Sequence, residues 1–409
     1  MNNKYLPYLC QVSIFAFLSL PFESPVFFWA KLLALLLLVG FAAIIARKDK
    51  KSVFFCGAFL LFLAFWGMLS LLRNTTSIEL ILLEFKDFAS LWLIMCVFAY
   101  FLQKKVLTSQ FYVQAVIRAA VLLSILKLLL IFGTFFYQSG GSNFSEFVAL
   151  AKWGGLKYIT YPMSATIYRV QFSSDIIIPF LIFILFNTQK TGIAFKKIEL
   201  YSYPVFFLLS VFFVYSRYIY FLVLLVYLFS IIANRKNLFH IIVVSGFSMA
   251  AILGLTGGGG LCQIVETRSL PNSAENRYSD MGRKIQVKAL LSEFYSHPVL
   301  GKGLGAYADS VVRDERLKYT YEVQIVAMLM KFGVLGMIIL CSFMSAIYFR
   351  LVLASVAVHF NLPLLSLFFF WLLSGFTNPY LVSSYSAVIF ILFYSLFYLS
   401  SRADMTPDK

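Results

Sequence analysis

Long apolar runs separated by short polar connections recur along the whole chain. A helix crosses a hydrocarbon core of about 30 Å with about 20 apolar residues. Runs of roughly that length lie near 5–22, 26–46, 52–72, 88–102, 111–136, 171–187, 200–216, 218–233, 241–256, 323–349, 359–377 and 383–401. About twelve transmembrane helices are therefore expected. In lipid, backbone N–H and C=O groups must be satisfied within the protein, which leaves helices or closed barrels. The period-two alternation of a barrel is absent from the sequence. The fold class that follows is an all-α polytopic membrane protein.

Composition agrees. The chain is 61% hydrophobic and 13% charged, with a mean hydropathy of +0.85, far from soluble globular usage. Its net charge of +16 would suggest nucleic acid in a soluble protein; here topology accounts for it, and no nucleic-acid partner is expected. Basic residues gather in alternate connections: Arg47, Lys48, Lys50 and Lys51; Lys104 and Lys105; Lys190, Lys196 and Lys197; Arg235 and Lys236; Arg350; Arg402. By the positive-inside rule these are cytoplasmic, as are both termini. The first apolar run lacks a small-residue cleavage site and reads as a span rather than a signal peptide. Cys10, Cys56, Cys96 and Cys341 fall in apolar runs and Cys262 in a polar one, so neither a disulfide framework nor a zinc site is implied.

Two outer connections are long, at about 137–170 and at 257–322. They divide the chain into helices one to nine (1–256), a large loop (257–322), helices ten to twelve (323–401) and a cytoplasmic tail (402–409). Before Glu322 the large loop holds nine Lys or Arg residues against seven Asp or Glu. A net positive loop on the translocated side runs against the usual bias and invites an anionic ligand. Four glycines at 257–260 read as a flexible exit from the ninth span. Residues 282–296 read as a basic, partly apolar helix at the membrane interface, ended by His297-Pro298.

Several residues could carry chemistry. Arg217 sits between two apolar runs, where it either snorkels to headgroups or aims a guanidinium at a phosphate. Arg169 and Asp175 flank the outer end of the sixth run. Lys127 and Arg118 interrupt the fifth, where an ionisable group is usually paired or functional; Glu84 or Asp87 would pair Lys127 as readily as a substrate would. Gly301, Gly303 and Gly305 form either a nest of N–H groups for an anion or a turn that needs positive φ. Glu322 opens a helix, facing the positive end of its dipole, and can orient a hydroxyl or pair with an arginine as well as take a proton. No metal-ligand spacing stands out in the large loop.

Taken together, Ser216-Arg217, Gly282-Arg283, a helix, His297-Pro298-Val299-Leu300-Gly301-Lys302-Gly303-Leu304-Gly305, Glu322 and the pair Gly333-x-x-Gly336 resemble the superfamily of bacterial O-antigen polymerases and O-antigen ligases. The resemblance covers the whole topology, with motif identity confined to about 215–220 and 282–336. It implies a membrane-embedded, GT-C-like, metal-independent inverting glycosyltransferase without cofactors. Such an enzyme uses undecaprenyl-pyrophosphate-linked oligosaccharides as donor and acceptor, on the periplasmic face of the inner membrane. A chain-length regulator and a flippase of the same pathway are implied as partners, besides membrane lipids.

Carried onto this sequence, Arg217 matches the arginine near the donor pyrophosphate. The ligases carry a histidine and then Asn, Ser or Gln where this chain has Glu322-Val323, which favours a polymerase. The expected catalytic residues are Arg217, Glu322 and Arg283. Those expected to bind substrate or pyrophosphate are Arg169, Arg277, Lys288, His297, Gly301, Gly303 and Gly305. The alternatives are an O-antigen ligase and, from another class, a polysaccharide or lipid transporter; internal repeats and interrupted helices, marks of transporters, are not evident in the sequence.

Overall fold

The computed structural model describes residues 5–19, 25–47, 49–139, 159–162, 168–214, 216–269, 274–355 and 361–403. Helices α1 (Leu6–Ser19), α2 (Pro25–Ala46), α3 (Lys50–Leu72), α4 (Ile78–Gln103) and α5 (Ser109–Ser139) come first. A short 3-10 turn, Ser173–Ile177, leads into α6 (Ile178–Phe186), then α7 (Lys197–Phe212), α8 (Arg217–Ala233) and α9 (Asn237–Ser269). Last come α10 (Ala274–Ser296), α11 (Gln324–Ser355), α12 (Asn361–Leu373) and α13 (Ser384–Ala403). Each of the twelve apolar runs thus has a helix, and among the described residues five are long and apolar enough to cross a membrane: Trp29–Ala46, Lys50–Leu72, Ser109–Gly133, Asn237–Gly254 and Gln324–Tyr348. Their outward faces are apolar too, with Leu33, Leu36, Phe54, Leu61, Phe247 and Ile338 exposed.

The centre is α6. All nine of its residues are buried, as expected of a helix that is apolar all round. Helices α7 and α8 pack on it, and α1, α4, α5 and α13 contribute to the same main core. A second core joins α3, α4 and α11 through aromatic rings, including Phe59 stacked on Trp92 with centroids 4.2 Å apart. One short antiparallel pair, Ile159–Pro162 with Tyr168–Gln171, departs from the helical plan and pairs Tyr161 with Arg169. Most of the 137–170 loop, including Lys152, Trp153 and Lys157, lies outside the described residues.

Four expectations are corrected. Helix α4 begins ten residues before the apolar run at 88, because its polar first turns meet partners: Glu84 binds Lys331 and Asp87 accepts from Tyr319 Oη at 2.9 Å. Helix α9 runs through the glycines at 257–260 to Ser269 instead of ending there; glycine disfavours a helix by only about 1 kcal/mol per residue relative to alanine, so a run of four weakens a helix without forbidding it. Lys127 pairs with Asp175 at 2.8 Å, both buried, and with neither Glu84 nor Asp87. Helix α11 is interrupted, with Gly333 at φ 63°, ψ −174°.

That interruption is filled from within the protein. Val334 and Leu335 donate to the carbonyls of Pro298 and Val299 at 2.9 and 3.0 Å, while Lys302 and Gly303 donate to Met330 and Lys331 at 2.9 Å each. The segment 298–303 thus supplies the partners that the broken helix lacks. A Cβ on Gly333 would stand 2.3 Å from the Val299 carbonyl oxygen, and one on Gly336 would stand 2.7 Å from the Trp66 ring. Both glycines of the Gly-x-x-Gly pair are required by close approach.

Candidate functional site

The connection between α7 and α8 is four residues long, so Arg217 becomes the first residue of α8. A helix N-terminus is a region of positive potential, and an arginine there adds to it. Helix α10 begins at Ala274, eight residues before the expected start, which puts Asp280 and Arg283 one turn apart on one face. Two turns further along the same face as Arg283, Leu290 packs against Tyr321, Val323, Ala327 and Met330. This contact anchors α10 on the start of α11 and brings its first turns beside Glu322.

The result is a network of three guanidiniums and two carboxylates from four places in the chain. Arg217 Nη2 and Arg283 Nη1 both donate to Asp280 Oδ1, at 2.9 and 3.1 Å. Arg283 Nε donates to Glu322 Oε2 at 3.0 Å and to the Thr377 carbonyl at 3.1 Å. Arg313 Nη2 reaches Glu322 Oε1 at 3.1 Å. The Glu322 backbone N–H donates to Gln286 Oε1 at 2.9 Å, and Gln286 is buried. Arg283 and Glu322 keep about a quarter of their side-chain surface, 24% and 23%, whereas Arg217 and Asp280 keep 41% and 50%. The site is open on the side of Arg217 and Asp280 and supported on the side of Glu322.

Arg217, Arg283 and Glu322, selected from the sequence as the catalytic set, therefore meet. Arg313, Asp280, Gln286 and Thr377 were not anticipated. Arg169 lies on the second strand; its side chain is outside the described residues, but its backbone is tied to the same region. Val170 donates to the Phe213 carbonyl at 3.0 Å, and Gln171 Nε2 donates to Tyr380 Oη at 2.9 Å. Arg277 and Lys288 are on α10 but exposed.

The glycine loop is elsewhere. His297 follows Arg283 by fourteen residues, about 20 Å along α10 at 1.5 Å per residue, and lies 2.8 Å from Ser296 through Nδ1. Burial, with Arg73 and Lys302 nearby, holds its pKa below the usual histidine value. The N–H groups of Gly301, Gly303 and Gly305 already serve the His297 carbonyl, the Lys331 carbonyl and Glu84 Oε2, at 2.9, 2.9 and 2.6 Å. The anion nest is thus replaced by the alternative reading. All three glycines have positive φ, 67°, 99° and 75°, and a Cβ on Gly303 would meet Ser70 at 2.6 Å. The anion received there is internal: buried Glu84, which also takes the ammonium of buried Lys331. Lys331 Nζ donates in addition to the Tyr319 carbonyl at 2.7 Å.

Tyr278, next to Arg277 on α10, is 84% exposed. Tyr218 donates instead to the Phe370 carbonyl, and Tyr307 lies under Lys318. Tyr321 accepts the Ala308 N–H at 2.8 Å, and burial pushes its phenol up to about 12.

Comparison with protein-family models finds no match, and comparison with curated proteins finds no relative.

Proposed function

We propose that the chain is an O-antigen polymerase of the bacterial inner membrane, joining lipid-diphosphate-linked oligosaccharide repeat units on the periplasmic face. The observation that carries this reading is the convergence of Arg217, Arg283 and Glu322. The topology proposed with it has twelve spans, a GT-C-like architecture and both termini in the cytoplasm. The Asp49–Lys104 ion pair at 2.9 Å then lies at the cytoplasmic end, and the arginine network at the opposite, periplasmic end. The exposed face of α10, with Tyr278, Met281 and Ile285 beside Lys284 and Lys288, suits an interfacial helix.

The chemistry asks for little. A glycosyl diphosphate is a good leaving group, so the demands are to neutralise charge growing on the departing diphosphate and to aim an acceptor hydroxyl at the anomeric carbon. Arg217 and Arg283, already sharing one anionic oxygen, are spaced to grip a diphosphate by charge-assisted bonds. The bond from the anomeric carbon to the phosphate oxygen breaks as the acceptor oxygen attacks from the opposite face, and the sugar inverts. Glu322 orients the acceptor hydroxyl and receives its proton. Each of its oxygens takes one guanidinium and keeps a further acceptor position for that hydroxyl.

The ligase alternative requires Glu322 to replace a histidine. A transporter draws support from the interruption of α11 at Gly333, yet the backbone groups freed there are bonded to 298–303. The test is a lipopolysaccharide profile of a strain lacking this gene, with and without a plasmid copy. Core carrying a single repeat unit, restored to a ladder by the plasmid, is the polymerase result. Bare core with polymer left on the lipid carrier would mean ligase, and an unchanged ladder would sink both.

A further inference from the structure

We infer that Asp280 is a built-in occupant of the anion position between Arg217 and Arg283, displaced when a diphosphate binds, and that displacing it sets the preference for diphosphate over monophosphate. This rests on the reading of the network as the diphosphate site.

Three observations converge on Asp280 rather than Glu322 as the group that yields. First, a single oxygen, Oδ1, takes both guanidiniums, as a bridging phosphate oxygen would. Second, Asp280 is half exposed, while Glu322 is held by Arg283, Arg313 and its own N–H on buried Gln286. Third, Asp280 sits in the second turn of α10, where a χ1 rotation swings its carboxylate into solvent without moving the backbone. Asp280 can leave while the arginines stay supported.

Charge gives the same answer. Three guanidiniums against two carboxylates leave the network at +1, since Arg217, Arg283 and Arg313 face Asp280 and Glu322. Release of Asp280 raises this to +2, the complement of a diphosphate diester with one charge on each phosphoryl group. An orthophosphate oxygen replaces the carboxylate oxygen one for one and gains little. A diphosphate places separate oxygens on Arg217 and Arg283 and gains a second charge-assisted contact. The internal carboxylate therefore suppresses monophosphates more than diphosphates.

The test is binding of inorganic pyrophosphate and of orthophosphate to the purified full-length protein in detergent at fixed ionic strength, for wild type, Asp280→Asn, Asp280→Ser and Arg217→Ala. Wild type should bind pyrophosphate, and Arg217→Ala should lose it. Both Asp280 variants should bind orthophosphate up to about fivefold more tightly, the scale of losing one partly exposed competing pair, with a smaller gain for pyrophosphate. Asp280 variants that bind both anions as wild type does, or more weakly, would overturn the inference and make Asp280 a group that positions the arginines; the site reading would survive. Pyrophosphate binding absent from wild type, or unchanged in Arg217→Ala, would sink the site reading and the inference with it.

Discussion

The two ends of α10 each lie beside a cluster of opposite charges, and the two clusters differ in the fold. At one end of α10, Arg217, Arg283 and Arg313 meet Asp280 and Glu322 with a quarter to half of each side chain in the open. At the other, Glu84 and Lys331 pair at 5% and 4% exposure beneath the glycine loop. A buried pair has given up its hydration and is tied to its partner; an exposed one exchanges partners with water, ions or a ligand at small cost. Accessibility, rather than residue type, separates the cluster that holds the loop on the bundle from the one that can act on something else.

The largest way to break this comparison is at the sealed cluster. Lys331→Ala leaves Glu84 charged and buried without its cation, which should cost about 3–5 kcal/mol, read as a collapse of thermal stability in detergent. Glu84→Gln combined with Lys331→Met keeps an acceptor for the Gly305 N–H and removes both charges, so it should recover much of that loss. A double variant no better than the single would show that the pair does more than neutralise itself. Next is Gly303→Ala: a Cβ at φ 99° and 2.6 Å from Ser70 forces strain and a backbone shift. It should destabilise by roughly 1–3 kcal/mol.

The open cluster should respond the other way. Arg217→Ala or Arg217→Lys should change stability by less than about 1 kcal/mol, as exposed pairs do, yet abolish chain extension, since an ammonium does not reproduce a two-pronged guanidinium. Melting curves alongside lipopolysaccharide profiles separate the two effects. Smallest is a pH effect on His297. Its pKa is lowered in the folded state, so the unfolded chain binds the proton more readily there and stability falls as pH drops through and below the usual value near 6.5. Between pH 7 and pH 5 the wild type should lose slightly more thermal stability than His297→Asn; equal losses would show that His297 is not responsible.

Much of the plan was legible. Each apolar run has a helix because burial and length act on the same residues, and the fully apolar stretch that became α6 lies at the centre. Arg217 could be selected because two apolar runs almost touch around it. What failed was pairing. Asp280 was missed because the helix was read from 282, although Ser273-Ala274-Glu275 carries a helix-start signal. Arg313 sits in an irregular stretch, so no periodicity points from it to Glu322, nine residues on. For Lys127 the sequence offered Glu84 and Asp87, but which carboxylate reaches it depends on how the 3-10 turn at Ser173–Ile177 packs on α5. The glycines at 301, 303 and 305 were ambiguous for a different reason: a nest and a close approach demand the same residue, and only the neighbours Ser70, Ile81 and Lys331 distinguish them.

The most direct measurement of the central claim is chain extension by Arg217→Ala in a strain lacking the chromosomal copy, with variant and wild type at equal membrane levels. Core with a single repeat unit from the variant, against a full ladder from the wild type, is the result expected if this guanidinium grips the donor diphosphate. A full ladder from the variant would contradict the account and leave the convergence of Arg217, Arg283 and Glu322 without a catalytic meaning.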